Sequence, residues 1–547
     1  MNNEKLYLKN NVQVEPLFNQ WYAWPHLIAP ATAAMNVANS HVKIMKSFVM
    51  HPDIHAAAVK NPAMRGGPFL DLDVSRSAEV KALLDETVSK QKKMIEFSEA
   101  VKTLNSLLAN EAKGTSLETL YSRIPEPLRG YVELIYDLNN NAGIRFIESL
   151  LYNSPYYDES LQALDFCLID SDNRPFVFST PRFQQDKHVW LQRPFAHEGI
   201  DELFKMRNTP QTFAYIKERL ELSDKDDEVF RTFFTTEPPR PSVRYDGDQV
   251  RIRYLNHACI LVETKDVSIM TDPIVSYEYQ NGHSSEDVHR YTYADLPERI
   301  DYVLLTHTHS DHIVYETLLQ LRHKIEHIIV PRSGGGALED PSAKLLLQHT
   351  GFKNVIEIDE MESIPIPGGK ITGLPFFGEH GDLNIRTRIA HLISLNGNQI
   401  LCAADSRNIE PMLYQRIHEM VGDISVLFLG MECEGAPLSW MYGALITKAL
   451  DRKMDQSRRL NGSDCDRGMD IINRFNCEQV YIYAMGQEPW LGYLTSIKYT
   501  DESSPIVESN KLVEACRSKG IISERIYGAK EMVLEDRRPA AVACGLS

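Results

Sequence analysis

The sequence predicts an α/β protein in two parts: a helix-rich α+β domain over residues 1–241, then sheets with helices packed outside over 242–547. Three observations carry this expectation. Short apolar runs crowd together from residue 250 onward, and helix-like stretches separate the later ones, which is the pattern of layered sheets and helices. Long amphipathic stretches dominate the first part. Between the two lies Thr235-Thr236-Glu237-Pro238-Pro239-Arg240-Pro241, a stiff linker, because proline neither continues a helix nor donates to a central strand. A chain of 547 residues is also long for a single core.

In the first part, residues 77–110 place Val80, Leu83, Leu84, Val88, Ile95, Val101, Leu104, Leu107 and Leu108 at spacings compatible with one helical face. Thr115-Ser116-Leu117-Glu118 fits a capping box that starts another helix. Strands are expected at 164–169 and 175–179, around the turn signal Asp170-Ser171-Asp172-Asn173. His51 and His55 stand four apart with Pro52 between them, and a surface role is expected for both. This part holds no catalytic motif.

In the second part, strands are expected at 250–254, 259–263, 267–271, 302–306, 327–330, 355–358, 389–395, 399–403, 426–429 and 479–483. Gly334-Gly335-Gly336 follows one of them and reads as a plain turn, with a phosphate-binding loop as the weaker alternative.

Composition excludes several classes. A net charge of −17 argues against general affinity for nucleic acid. No apolar run approaches the roughly 18–20 residues of a membrane span, and Met1-Asn2-Asn3-Glu4-Lys5 lacks a signal-peptide core. A cytoplasmic location is expected. The eight cysteines are scattered without a C-x-x-C pair and read as small buried apolar residues in a reducing compartment.

The chemistry is concentrated in His307-Thr308-His309-Ser310-Asp311-His312, directly after the strand-like Tyr302-Val303-Leu304-Leu305-Thr306. Extended backbone sends residues i and i+2 to one side, so His307 and His309 converge on a point. Asp311 and His312 come as the chain turns toward a helix and address a second point nearby. Two adjacent metal positions are expected from one loop.

With this order of strand, HxHxDH and later acidic residues, the second part resembles the metallo-β-lactamase superfamily. The likeness includes Asn256-His257-Ala258-Cys259-Ile260-Leu261-Val262-Glu263 and the turn Thr271-Asp272-Pro273. It implies an αββα sandwich with two metals at one edge. It also puts the bridging carboxylate at Asp405, which ends the apolar run Ile400-Leu401-Cys402-Ala403-Ala404. Hydrolases of the superfamily commonly close the site with a later histidine. Here only His418 follows, in a helix-like segment, so that ligand is missing. Glu379 and His380 are the ligand candidates between the motif and Asp405. His257, opening a strand near the site, is either a supporting contact or a structural histidine.

A narrower resemblance rests on Phe376-Phe377-Gly378-Glu379-His380, on Gly430-Met431-Glu432-Cys433-Glu434-Gly435-Ala436-Pro437-Leu438 and on Ser457-Arg458-Arg459-Leu460-Asn461-Gly462-Ser463-Asp464. These are similar to the di-iron amino-acid β-hydroxylases of nonribosomal peptide pathways, the chloramphenicol-pathway type. In that family Glu replaces the third histidine. The resemblance then implies that His307, His309 and Glu379 hold one iron, that Asp311 and His312 hold the other, and that Asp405 bridges them. Hard oxygen ligands with imidazole suit iron working on dioxygen. Glu432 and Glu434 are expected near the site edge, either binding the substrate amine or solvating a loop.

The implied activity is O2-dependent β-hydroxylation of an amino acid held as a thioester on a peptidyl-carrier domain, antibiotic biosynthesis being the family's setting. It calls for two irons, dioxygen and an external electron donor, a reductase or ferredoxin. The N-terminal domain is expected to form a carrier-docking surface or a homodimer interface. The alternatives are a dizinc hydrolase and a non-enzymatic carrier-binding module.

Overall fold

The structure is a computed structural model that describes residues 4–172, 174–242, 244–279 and 288–537, and of Glu379 the backbone alone. Two seven-stranded sheets form the second part. The first runs in the order Val355–Ile358, Ile325–Pro331, Ile300–Leu304, Ser268–Thr271, Cys259–Glu263, Val250–Asn256 and Lys530–Leu534. The second runs Ser363–Ile366, Gly369–Leu374, Ala390–Leu395, Asn398–Cys402, Val426–Gly430, Gln479–Tyr483 and Ile522–Arg525.

Ile252, Ile260 and Leu304 of one sheet meet Ile371, Ile393 and Phe428 of the other in one apolar layer. Tyr315–Leu321 and Ala343–His349 cover the outside of the first sheet. Met412–Val421, Cys465–Arg474 and Ser504–Ser518 cover the second. This is an αββα sandwich. Strands between two covered faces bury every residue, as Cys259–Glu263 does, which explains why they read as continuous apolar runs instead of alternating ones. Half of each sheet is parallel, and the loops leaving those strands gather at one edge.

The first part packs the helices Pro30–Asn36, Val42–Met50, Ser77–Lys90 and Lys92–Glu111 beside a four-stranded sheet built on Val12–Phe18 and Gln162–Leu168. Its apolar core continues into the second part without a break, from Val14, Trp21 and Phe97 to Leu255, Tyr315 and Leu318. Tyr315–Leu321 is therefore buried on all sides.

A buried ionic clasp joins the halves. Glu316 accepts from Tyr277 at 2.7 Å, Tyr22 at 2.8 Å and Arg174 at 2.8 Å. Arg174 and Arg182 also bind Glu15. Burial alone would raise the Glu15 carboxyl, but Arg182 and Arg174 bring it down to about 2.

Several local expectations differ from the fold. The amphipathic stretch at 77–110 is two helices that break at Gln91. Residues 175–179 form no strand. Ser116 caps a 3-10 helix, Leu117–Arg123, instead of an α-helix. His55 is buried, and its Nδ1 accepts from the Leu70 amide at 2.9 Å. Gly336 accepts from the Phe146 amide at 2.7 Å, so the glycine run is a turn that seats the Ala142–Phe146 strand. No helix or strand covers 236–249 among the described residues. No described helix is long and apolar enough to cross a membrane.

Candidate metal centre

The site forms at the edge where the parallel strands end. Ser268–Thr271 delivers Asp272, Ile300–Leu304 delivers the HxHxDH loop, and Asn398–Cys402 delivers Asp405. Two residues of these turns, Asp272 (φ 30°) and Ala404 (φ 49°), sit in the left-handed region, as do His257 (φ 48°) after Val250–Asn256 and Ala484 (φ 53°) after Gln479–Tyr483. Such conformations are costly and cluster where a site over-determines its backbone.

The five described residues expected as ligands come together. His307, His312 and Asp405 form one group in which the ligand atoms lie within 4.8 Å of one another. Nε2 of His307 and Nε2 of His312 each face Asp405 Oδ2 at 3.4 Å, and neither nitrogen has a hydrogen-bond partner among the described residues. An ion at a typical ligand distance of roughly 2.1 Å from two atoms so spaced would subtend an angle of about 108°. The donor spacing suits a metal.

Hydrogen bonds fix which nitrogen each histidine offers. His312 Nδ1 meets Asp272 Oδ2 at 2.8 Å, an acceptor only, so Nδ1 carries a proton in either charge state and Nε2 is the nitrogen left to face the site. Thr306 Oγ1 donates to Asp272 at 2.7 Å and lies 3.0 Å from His307 Nδ1, so it accepts there. His307 likewise offers Nε2. His309 contacts the Tyr442 hydroxyl through Nε2 at 2.8 Å, which leaves Nδ1 for the site. These outer partners orient the imidazoles.

His257 behaves differently. Its Nδ1 accepts from the Gly486 amide at 3.2 Å, so a neutral ring carries its proton on Nε2, 3.3 Å from Asp311 Oδ2. That Nε2 makes no hydrogen bond among the described residues, as with His307 and His312, and His257 lies close enough to Asp311 and His312 to complete a three-residue metal group.

Electrostatics favour a cation at this point. Burial opposes charge on His312, yet Asp405, Asp272 and Asp311 hold its pKa well above the ordinary value. Burial would raise Asp405, but His312 and His307 bring it well below the carboxylate range.

His380 is buried, and its ring stacks on His309 with centroids 4.8 Å apart, forming a three-imidazole group with His307 and His309. Glu379 begins the 3-10 turn Glu379–Leu383 beside it, and its side chain lies outside the described residues. His418 joins no metal-type group among the described residues; it sits on Met412–Val421 and contacts Asp423 at 2.7 Å.

A cavity of about 450 Å³ opens beside the candidate ligands, with His309, Asp311, Asp405, Glu432 and Glu434 among its lining. Glu434 accepts from Ser504 at 2.7 Å.

Comparison with known proteins decides the family. The diiron non-heme β-hydroxylase N-terminal domain matches residues 7–238, and the β-lactamase superfamily domain matches 268–436. The 4-amino-L-phenylalanyl-[CmlP-peptidyl-carrier-protein] 3-hydroxylase of Streptomyces venezuelae is 36% identical over 527 residues, covering 95% of this chain and 98% of that protein. The chain belongs to the CmlA-type di-iron β-hydroxylases. The crystal structure of CmlA, a diiron β-hydroxylase from Streptomyces venezuelae, superposes with a TM-score of 0.90 at 35% identity, over 97% of this chain and 100% of that one. A Glu-to-Asp variant of CmlA gives a TM-score of 0.88.

For a di-iron β-hydroxylase, the sequence reading missed Asp272 and Tyr442 as ligand supports and left the role of His257 open. Asp272 stood in the quoted Thr271-Asp272-Pro273 turn. Tyr442 gave no local signal.

Proposed function

We propose that this chain hydroxylates the β-carbon of an amino acid carried as a thioester on a peptidyl-carrier domain of a nonribosomal peptide synthetase, with O2 as co-substrate and a reductase or ferredoxin as electron source. The observation that carries this reading is the extent of the likeness to a carrier-protein hydroxylase, which spans both domains.

In this reading His307, His309 and Glu379 hold one iron, Asp311 and His312 the other, and Asp405 lies between them. Two irons bound there supply dioxygen activation. The protein fixes the rest. Asp272, Thr306 and Tyr442 hold the imidazole tautomers, and His257 stands beside Asp311. The walls of the cavity limit water around the reacting carbon, and Glu432 offers a negative charge for the substrate amine. The N-terminal domain docks the carrier, and a homodimer through the same domain is the other arrangement we consider. A biosynthetic enzyme of this kind works in the cytoplasm.

The test is to supply the iron-loaded protein with an aminoacyl-carrier domain, an electron donor and 18O2. The expected product retains its thioester and gains one labelled oxygen at the β-carbon. The His307–His309–His380 group favours one second reading, dizinc hydrolysis; thioester cleavage without oxygen gain, by protein holding only zinc, would establish it and sink ours.

A further inference from the structure

The cavity beside the candidate ligands is lined by the acidic Asp311, Asp405, Glu432 and Glu434 and by the basic Arg65, Arg459 and Lys498, of which Glu434, Arg65 and Lys498 are exposed at its mouth. Arg65 reaches the rim from the N-terminal half, and Lys498 from the loop after the Gly492–Thr495 helix. Both side chains are exposed, and neither makes a hydrogen bond or ion pair among the described residues. A single unpaired surface cation would mean little. Two facing one functional cavity, in a chain with 75 acidic against 58 basic residues, are harder to assign to chance.

The backbone that presents Arg65 is built into place. Gly66 adopts φ +73° and accepts from Trp440 Nε1 at 2.9 Å. A Cβ there would stand 3.0 Å from Trp440 Nε1 and 3.1 Å from Ser496 Oγ. The turn that carries Gly66 thus packs tightly on the second domain in a left-handed conformation that favours glycine, and Trp440 and Ser496 are themselves cavity-lining residues. The anchoring fixes where Arg65 leaves the backbone while its guanidinium stays uncommitted. Deeper on the same cavity, the Tyr499 hydroxyl is buried and has no hydrogen-bond partner among the described residues.

An anion is expected at the rim, on a molecule whose other end reaches the metal ligands. We propose that Arg65 and Lys498 receive the phosphodiester of the carrier's phosphopantetheine arm, with Tyr499 donating to an amide oxygen of that arm on its way to the site. A guanidinium matches a phosphodiester with two parallel N–H bonds, and an ammonium adds a point charge. This inference rests on the carrier-tethered reading above. It assigns the N-terminal domain a direct part in the substrate channel.

A carboxylate on the surface of the carrier would be the other anion to meet this rim, so the probes must separate the two. Binding of free 4′-phosphopantetheine and of pantetheine to the full-length, iron-loaded protein would be measured by calorimetry, for the wild type and for Arg65→Gln, Lys498→Gln and the double variant. The wild type is expected to bind the phosphorylated molecule about tenfold more tightly, the worth of one charge-assisted pair. The preference should fall below about threefold in R65Q and vanish in the double variant. Equal binding of both molecules by the wild type, or a preference that survives both substitutions, overturns the proposal. So does a defect of R65Q seen with intact carrier domain but not with free phosphopantetheine, which would assign Arg65 to the carrier surface. A phosphate preference that depends on Arg65, in a protein that hydroxylates no thioester, would support the anion site and defeat the hydroxylase substrate reading instead.

Discussion

Asp272 Oδ2 lies 2.8 Å from Nδ1 of His312, and this contact decides which nitrogen His312 can offer a metal. The other carboxylate oxygen accepts from the Thr306 amide at 2.8 Å, so one buried aspartate pins both the loop and the ring. Asp272→Ala should keep the fold yet weaken iron retention by about 10–100-fold, the usual effect of losing an outer partner. Iron per chain after dialysis against a graded chelator series checks this; unchanged retention would remove Asp272 from the centre.

Tyr442 plays the matching part for His309. Tyr442→Phe deletes only the hydroxyl that meets His309 Nε2 at 2.8 Å. Turnover should drop by about tenfold, with an altered ligand-field spectrum of the ferrous protein. A purely structural role would lower the melting temperature and leave that spectrum alone.

Glu379 and His380 are adjacent on a 3-10 turn, and our reading takes Glu379 as the ligand. Glu379→Ala and Asp405→Ala should each lose both irons together, whereas His380→Ala should retain them. Metal analysis of the three variants would show the reverse order if His380 is the ligand.

Glu316 anchors the clasp between the domains. Replacing it with alanine leaves three tyrosine hydroxyls without their acceptor and weakens the compensation of the buried Arg174. Breaking one partner of such a buried pair costs about 3–5 kcal/mol. Denaturant unfolding of Glu316→Ala should show a lower midpoint; a loss under about 1 kcal/mol would mean the clasp carries no strength.

Glu148 gives stability a pH slope. Burial pushes its carboxyl from 4.5 up to about 7, with Asp340 and Glu357 adding to the rise, although the Ser342 amide donates to it at 2.9 Å. The folded protein thus holds a proton there that the unfolded chain releases near 4.5. This group's contribution therefore falls as pH rises from about 4.5 to about 7 and stays low above that. Glu148→Gln should flatten that part of the curve and raise stability above about pH 7. Melting curves of both proteins across this range provide the check.

The sequence by itself determined the layered α/β architecture and the metal loop, because both are local. A buried strand announces itself as an apolar run, and Cys259–Glu263 and Gln479–Tyr483 have the bounds those runs predict. HxHxDH converges through backbone geometry within six residues. Edge strands were harder: Lys530–Leu534 alternates buried and exposed residues, and Ile522–Arg525 buries one of its four, so neither makes an apolar run.

Tertiary structure decided everything that depends on distant partners. Asp272 is 40 residues from His312, and Tyr442 is 133 from His309, separations at which no periodicity links them. His55 has the spacing of a surface pair, but Leu70 and Ser47 close around it. The break at Gln91 was hidden because both helices present apolar residues to the same core. The seat of Gly66 against Trp440 spans 374 residues, and no local pattern could have placed Arg65 at the mouth of the metal cavity. The HxHxDH candidates converge through short-range geometry; the arrival of Asp405 beside them, the orientation of their rings and access to the site are set by long-range packing.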